Sequence, residues 1–444
     1  MRLDPAGPAP GFPELDERLL PRAGWPVAVA YSGGGDSHAL LLGACDWARR
    51  RGRRLIVLHV DHQLQAASGD WAQACAETAR RLHLDFLALK WTGPKPTTGL
   101  AAAARLARHR LLAVAARAAG ARVLLLGHTA DDVAEAQLMR ARGGSVPDPR
   151  PWAPSPVWPE GCGLHLLRPL LGWGRRDLRT WLAGRGESWI DDPANEDLTR
   201  PRSRARAALA MGATAPGSEP SSALRAGELA DLARAARHEL GQIVWDRTMF
   251  EAASPAARAA ALAAACLCAA GTSRPPRGEA LAGLCDQIMS GKVFTATLAG
   301  ARLEASRADL RLCREPGEAR RGGMARLRLE AGESGVWDGR WRLKAPEDRA
   351  LEVTALFGQA GALAPDARRA LGEWPPAVRW GLPVVRQGES VVCPPLEPAA
   401  GVTAQPLAEV RFAAACGLLT HEADLAGWEA QGPVTKLEET GCCA

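Results

Sequence analysis

Val27-Ala28-Val29-Ala30-Tyr31 runs without a break into Ser32-Gly33-Gly34-Gly35-Asp36-Ser37, and a helical pattern to Arg51 follows. A short apolar run bounded by turn residues predicts a buried strand, and the glycines after it predict a tight loop. Consecutive glycines let backbone N–H groups turn inward and approach an anion closely. The helix adds the positive end of its dipole. Ser32 and Ser37 supply hydroxyl donors, and Asp36 is placed to meet a magnesium ion that bridges phosphate oxygens. A plain turn needs few of these features; the whole set between a strand and a helix predicts a phosphate-binding loop. No Gly-Lys-Ser/Thr closes it, so it is not a Walker A loop.

Outward from this loop, Leu55 to Val60, Phe86 to Lys90 and Val123 to Gly127 read as further buried strands. Helical patterns lie between them near Ser37–Arg51, Asp70–Leu82, Leu100–Ala119 and Asp131–Arg142. Strands alternating with helices predict an α/β domain with a doubly wound parallel sheet. Ligands of such sheets sit beyond the carboxyl ends of the strands. The polar motifs fall there, after Tyr31, Val60 and Gly127. The Pro- and Trp-rich stretch from Pro147 to Gly163 reads as a long excursion before a strand at Leu164–Arg168. A linker over Gly212–Ser222 and a break at Gly317–Gly323 divide the rest. The expected organisation is a catalytic domain over 1–211, a small helical domain with a short hairpin over 223–316, and a mixed α+β domain over 324–444.

The 444 residues are 47% apolar and 23% charged, which is the balance of a globular chain. A formal charge of +6 permits a polyanionic partner. Arg dominates the cations in a chain rich in Ala, Gly and Pro, so coding bias explains the excess as well as RNA binding does. Eleven cysteines with no Cys-x-x-Cys pair, Cys442 and Cys443 among them, lack the spacing of a zinc or redox site. Met1 to Phe12 has no apolar core of a signal peptide, and Pro255 and Arg258 interrupt the Ala-rich run that could be mistaken for a membrane span. A cytoplasmic protein with reduced thiols and no membrane contact is expected. The sequence is compatible with a homodimer.

Further motifs follow in order. They are His59-Val60-Asp61-His62, Gly127-His128-Thr129-Ala130-Asp131-Asp132 continuing to Glu135, Arg168-Pro169-Leu170-Leu171 with Arg175, Asp192-Pro193-Ala194-Asn195, and Arg202-Ser203-Arg204-Ala205-Arg206. The strand followed by Ser-Gly-Gly-x-Asp-Ser resembles the PP-loop of the N-type ATP pyrophosphatases. The ordered series from Val27 to Arg206 resembles the tRNA(Ile)-lysidine synthetase family, as does the segment Leu382–Pro395 of the C-terminal part. The resemblance implies ATP with Mg2+, a tRNA(Ile) with a CAU anticodon, and free lysine. The wobble cytidine would be adenylated and lysine would then displace AMP. The C-terminal domain would be tRNA-binding.

On this reading Ser32, Gly33, Gly34, Gly35, Asp36 and Ser37 bind ATP, with His62 and His128 as nucleotide contacts or site architecture. Lysine must lose a proton before it attacks, so a carboxylate should bind it and accept that proton. Asp132 is the first candidate, with Asp61 and Asp131 as alternatives for lysine or metal contact beside Asp36. Two adjacent aspartates at a loop-to-helix junction cannot point the same way, and one of them could simply cap a helix. Glu135 reads equally well as dipole stabilisation or chemistry. Arg105 is expected at the adenylate or the base, and Arg168, Arg175, Arg202 and Arg206 on the tRNA. Gln63-Leu64-Gln65 stands where the family usually has Gly-Leu-Arg, which removes an expected cation. A sulfur-transferring relative would need reactive cysteines near the adenylate, and Cys45 and Cys75 fall in helical patterns away from the strand ends. An amidotransferase-coupled ligase would need an ammonia source, and no N-terminal cysteine nucleophile is present. A regulator that had lost catalysis would not need Asp61, Asp131 and Asp132 all intact.

Overall fold

The computed structural model describes residues 11–144, 146, 149–192, 197, 199–214, 222–387 and 390–428. Pro193–Asn195, Cys442, Cys443 and most of the expected linker lie outside them, as do two positions of Leu382–Pro395. The described residues form two compact units, one from 11–214 with 420–428, the other from 222–419.

In the first unit, helix α1 (Pro13–Arg18) precedes strand β1 (Val27–Ala30), helix α2 (Gly35–Arg51), strand β2 (Leu55–Asp61), helix α3 (Ser68–Arg81) and strand β3 (Asp85–Lys90). Helix α4 (Leu100–Ala118), strand β4 (Val123–Leu125), helix α5 (Ala130–Ala141), strands β5 (Trp152–Pro154) and β6 (His165–Leu167), and helices α6 (Arg175–Gly184) and α7 (Pro201–Ala210) follow. The sheet order is β3-β2-β1-β4-β6-β5. All pairs are parallel except β5 with β6. Ala28 is opposite Ile56 on one side and Leu124 on the other. The expected α/β sheet is therefore present, and the excursion before β6 adds an antiparallel edge strand that its prolines had hidden.

Alternation along the strands buries both faces. Ala28, Ile56, Leu58, Leu124 and Leu166 pack with Leu112, Ala113 and Ala116 of α4. Val27, Val29, Val57, Leu125 and Leu167 turn the other way and are equally buried. A sheet covered on both faces opens to ligands only at its strand ends. Strand order reverses between β1 and β4, and the loops after these two strands carry the polar motifs.

The second unit begins with a helix over Ser222–Ala235. The expected hairpin is part of a five-stranded antiparallel sheet over 237–314, with helices Pro255–Ala270 and Glu279–Met289. Its core includes Trp245, Phe250, Leu262 and Leu303, and is completed by Phe412 and Cys416 from near the end of the unit. Residues 327–406 form a four-stranded and a three-stranded antiparallel sheet around Trp337, Trp341, Leu343 and Val353.

The last described segment belongs to the first unit. Glu422 and Arg53 form an ion pair at 2.8 Å whose side chains are both 0% exposed. Glu422 also accepts from the Leu20 backbone N–H at 2.9 Å and from Trp25 Nε1 at 2.7 Å. Removing one partner leaves a buried charge uncompensated. Glu422→Ala should therefore destabilise the first unit by about 3–5 kcal/mol. Chemical unfolding followed by tryptophan fluorescence would read this as a lowered midpoint, and an unchanged midpoint would remove the pair's structural role.

Candidate active site

The phosphate loop is shaped by contacts on both of its sides. Gly33 has φ +83, a left-handed conformation, and a Cβ there would lie 2.4 Å from Ile190 Cδ1. The Ile190 N–H donates to the Gly33 carbonyl at 2.9 Å. Ser37 Oγ donates to the Gly34 carbonyl at 2.8 Å and lies 3.1 Å from Ser32 Oγ, so the hydroxyls brace the loop from within. Helix α2 starts with no side-chain cap. Its first amides are thus available to an anion, where the helix dipole favours one. Gly127, after β4, faces this turn with no room for a side chain: a Cβ there would lie 3.1 Å from Ser37 Cα. The two strand-end loops therefore meet at the switch point.

Asp131 and Asp132 do point different ways. Asp131 Oδ2 accepts from the backbone N–H of Arg175 at 2.7 Å, which caps the start of α6. Asp132 Oδ2 accepts from the Thr129 N–H at 2.7 Å and Thr129 Oγ1 at 3.1 Å, closing the start of its own helix. Asp132 Oδ1 receives Arg202 Nη2 at 2.6 Å and Arg175 Nη2 at 3.4 Å.

Glu135 is 1% exposed and takes three arginines: Arg175 at 3.1 Å, Arg202 at 2.7 Å and Arg206 at 2.8 Å. Burial pushes its carboxyl up, but hydrogen bonds from Arg206 and Arg202 hold it below the usual range. Arg202 and Arg206, expected on tRNA, thus rest on α5 carboxylates while remaining partly exposed. Arg175 was also expected on tRNA, yet its guanidinium turns inward to Asp36, Asp132 and Glu135. Burial opposes its charge, and the three carboxylates more than restore it.

Asp36 Oδ2 receives Arg175 Nε at 3.0 Å, whereas Oδ1 is buried with no hydrogen-bond partner among the described residues. Burial raises the carboxyl's pKa despite Arg175. A buried anionic oxygen without a donor fits a hard cation, and magnesium takes few protein ligands beside phosphate and water. No cluster of three or more His, Cys, Asp or Glu side chains suited to a metal occurs among the described residues.

A cavity of about 340 Å³ opens beside this cluster, lined by Arg105, His109, His128, Asp132, Arg168 and Arg202 among others. Arg168 Nε donates to His128 Nδ1 at 3.1 Å. Burial, then Arg168 and Arg108, lower the His128 pKa to about 2, so its ring is neutral. His109 falls to about 2 through burial and Arg108. Burial and Arg105 bring Arg168 down to about 10. Asp61 and His62 stand apart from this cluster. Asp61 Oδ1 accepts from the Gln63 N–H at 2.8 Å, closing a local turn. His62 lies edge-on to Trp91 at 6.2 Å, with burial and Arg108 lowering its pKa.

Two features escaped the sequence reading. The segment 187–190 backs the phosphate loop: Trp189 lies 3.5 Å from where a Gly35 Cβ would sit. Glu187 there joins His38 at 3.0 Å, and His38 joins the Tyr31 hydroxyl at 3.0 Å. Only the neighbouring Asp192 motif signalled this segment. The other feature is a correction. Cys75 is not remote from the strand ends, because its Sγ lies 3.0 Å from where a Gly33 Cβ would sit. Helix α3 carries it back over the loop. Burial pushes the thiol up to about 12, so it packs as a small apolar group rather than acting as a nucleophile.

Residues 14–212 match the family model of the PP-loop domain. The tRNA(Ile)-lysidine synthase of Caulobacter vibrioides is 48% identical over 430 residues, covering 95% of this chain and 99% of that protein. That of Hyphomonas neptunium is 39% identical over 70% of this chain and 87% of its own length. That of Brucella anthropi is 34% identical over 71% and 73%, respectively.

Gly33→Ala combines a left-handed backbone with a collision at Ile190. It should weaken MgATP binding by at least about tenfold, since one lost or misdirected charge-assisted contact carries that much. Calorimetric titration checks this, and unchanged affinity would mean that the loop does not hold the phosphates.

Proposed function

The chain belongs to the tRNA(Ile)-lysidine synthase family, and on that premise we propose how its residues divide the work. The enzyme joins lysine to C2 of the wobble cytidine in a tRNA(Ile) with a CAU anticodon. The C2 oxygen attacks the α-phosphorus of ATP, and the bond to the bridging oxygen breaks to release pyrophosphate. The amine of lysine then attacks C2, the bond from C2 to the adenylate oxygen breaks, and AMP leaves while the amine loses a proton. The convergence of the phosphate loop, Asp132 and a cation-lined cavity at one switch point carries this assignment of roles.

Ser32 to Ser37 hold the pyrophosphate through backbone amides and hydroxyls. Asp36 would hold magnesium, which supplies charge neutralisation on the phosphates when bound. Asp131 could join it only through the oxygen that does not cap α6. Arg105, Arg168 and His128 line the cavity for the adenylate and the cytidine, and Asp61 and His62, which do not line it, are left to the ATP side of the sheet end. Asp132 takes the ammonium of lysine and then its proton. To do so it gives up Arg202, whose 43% exposed side chain turns with Arg206 to the RNA backbone. ATP, free lysine and tRNA as co-substrates favour a cytoplasmic reaction. No described helix is long and apolar enough to cross a membrane.

Purified protein with ATP, radiolabelled lysine and unmodified tRNA(Ile) should put label into the RNA with matching AMP. Asp132→Asn should lower the rate about 100-fold or more, the scale of a lost proton acceptor. AMP formed without lysine incorporation would point to another nucleophile.

Residues 223–316 and 324–419 are read as holding the tRNA body. Truncation is a poor test, because Phe412 and Cys416 complete the core of the earlier segment. Charge reversal at the largely exposed Arg326, Arg328 and Arg369 is cleaner. It should weaken tRNA binding and flatten its salt dependence, with MgATP affinity unchanged. Equal losses for both ligands would sink this role.

A further inference from the structure

Arg175 is set differently from the other arginines of the site. It opens α6, and Asp131 holds its backbone N–H, so the root of the side chain is fixed. Its guanidinium then uses each nitrogen on a different carboxylate: Nε on Asp36 at 3.0 Å, Nη1 on Glu135 at 3.1 Å and Nη2 on Asp132 at 3.4 Å. Asp36 comes from the phosphate-loop helix α2, and Asp132 and Glu135 come from α5. Arg202 and Arg206, among the described residues, pair only with carboxylates of α5. Among the described residues, Arg175 alone hydrogen-bonds carboxylates of both helices. Its side chain is 13% exposed, against 43% for Arg202, so it offers little to an RNA backbone.

We propose that Arg175 is a positioning residue that locks the phosphate loop to the lysine-accepting wall of the cleft, and is not an RNA contact. The planar fork suits this task, because a guanidinium presents five donors in fixed directions and an ammonium presents one compact charge. Engaging Asp36 through Oδ2 leaves Oδ1 as the free oxygen, which sets the direction from which a cation is met. The same guanidinium orients Asp132, so the adenylation half and the lysine half of the site share one anchor. This rests on the roles given above to Asp36 and Asp132.

The test measures MgATP affinity of the full chain by calorimetry without RNA, alongside kcat and the KM values for lysine and tRNA(Ile). Arg175→Gln should weaken MgATP about tenfold, raise the lysine KM and lower kcat about 100-fold, with the tRNA KM within about twofold. Arg175→Lys should fail to restore either affinity. A coupling experiment separates positioning from stability. Asp132→Asn should change MgATP affinity in the wild-type background and have no such effect in Arg175→Gln.

A raised tRNA KM with unchanged MgATP affinity would overturn the proposal and make Arg175 an RNA contact. So would losses that follow the melting temperature alone and are reversed in Arg175→Lys. If the wild-type chain formed AMP without lysidine, the assigned reaction would fail. The MgATP coupling would still decide the role of Arg175.

Discussion

Asp36, Asp132 and Glu135 arrive from two helices nearly a hundred residues apart in sequence, and one guanidinium lies within hydrogen-bonding reach of all three. Carboxylates brought this close in a half-buried site repel strongly, since an effective dielectric well below that of water leaves each pair worth several kcal/mol. Arg175 makes the arrangement tenable. Without that cation the phosphate loop and the start of α5 would have reason to separate. The meeting of β1 and β4 at the reversal of strand order brings the two loops into contact, and Arg175 settles how the charges on them face one another.

Neutralisation is uneven across the cleft, and this has chemical value. On the α5 side, Glu135 has three arginines and Asp132 two, so neither carboxylate has an oxygen to spare while Arg202 stays in place. On the phosphate-loop side, Asp36 has one arginine and one buried oxygen to spare. The cavity beyond carries Arg105, Arg168 and Arg202 around two neutral histidines. A cation-rich hollow adjoining a carboxylate cluster suits a reaction that gathers a polyphosphate, an RNA and an amino acid at one point. On the proposed roles the hollow suits anions and the carboxylate cluster suits a cation, so the two kinds of ligand do not compete for one place.

The strand–loop–helix unit was legible because its signals are local. Apolar runs bury strands, consecutive glycines permit the turn, and the residues after them start a helix. The motif ends were legible for the same reason, and the structure brings Ser32–Ser37, Asp131, Asp132 and His128 to one place. What could not be read was direction. Sequence placed Asp131 and Asp132 side by side without saying which helix each would cap. The answer depends on α6, which begins more than forty residues later. Arg175 was expected on the tRNA but turns inward for a reason visible only with Asp36 and Glu135 in view. Cys75 looked remote because a helix hides the direction of each side chain until its packing is known.

The buried pair of Arg53 and Glu422 shows the far limit of sequence reading. The partners are separated by most of the chain, no motif marks either, and each alone reads as an ordinary surface charge. Burial is tolerable here because the carboxylate also receives Leu20 N–H and Trp25 Nε1, so neither oxygen is left without a donor. The pair fixes the returning segment to the end of the sheet opposite the cleft, beside the start of β2. At the cleft, by contrast, Asp36 keeps an oxygen unsatisfied and Asp132 shares its arginines with Glu135. The same two residue types serve both ends. Where both carboxylate oxygens are matched, as at Glu422, the pair holds the fold together, and where one acceptor is left open, as at Asp36, the site has somewhere to put a ligand.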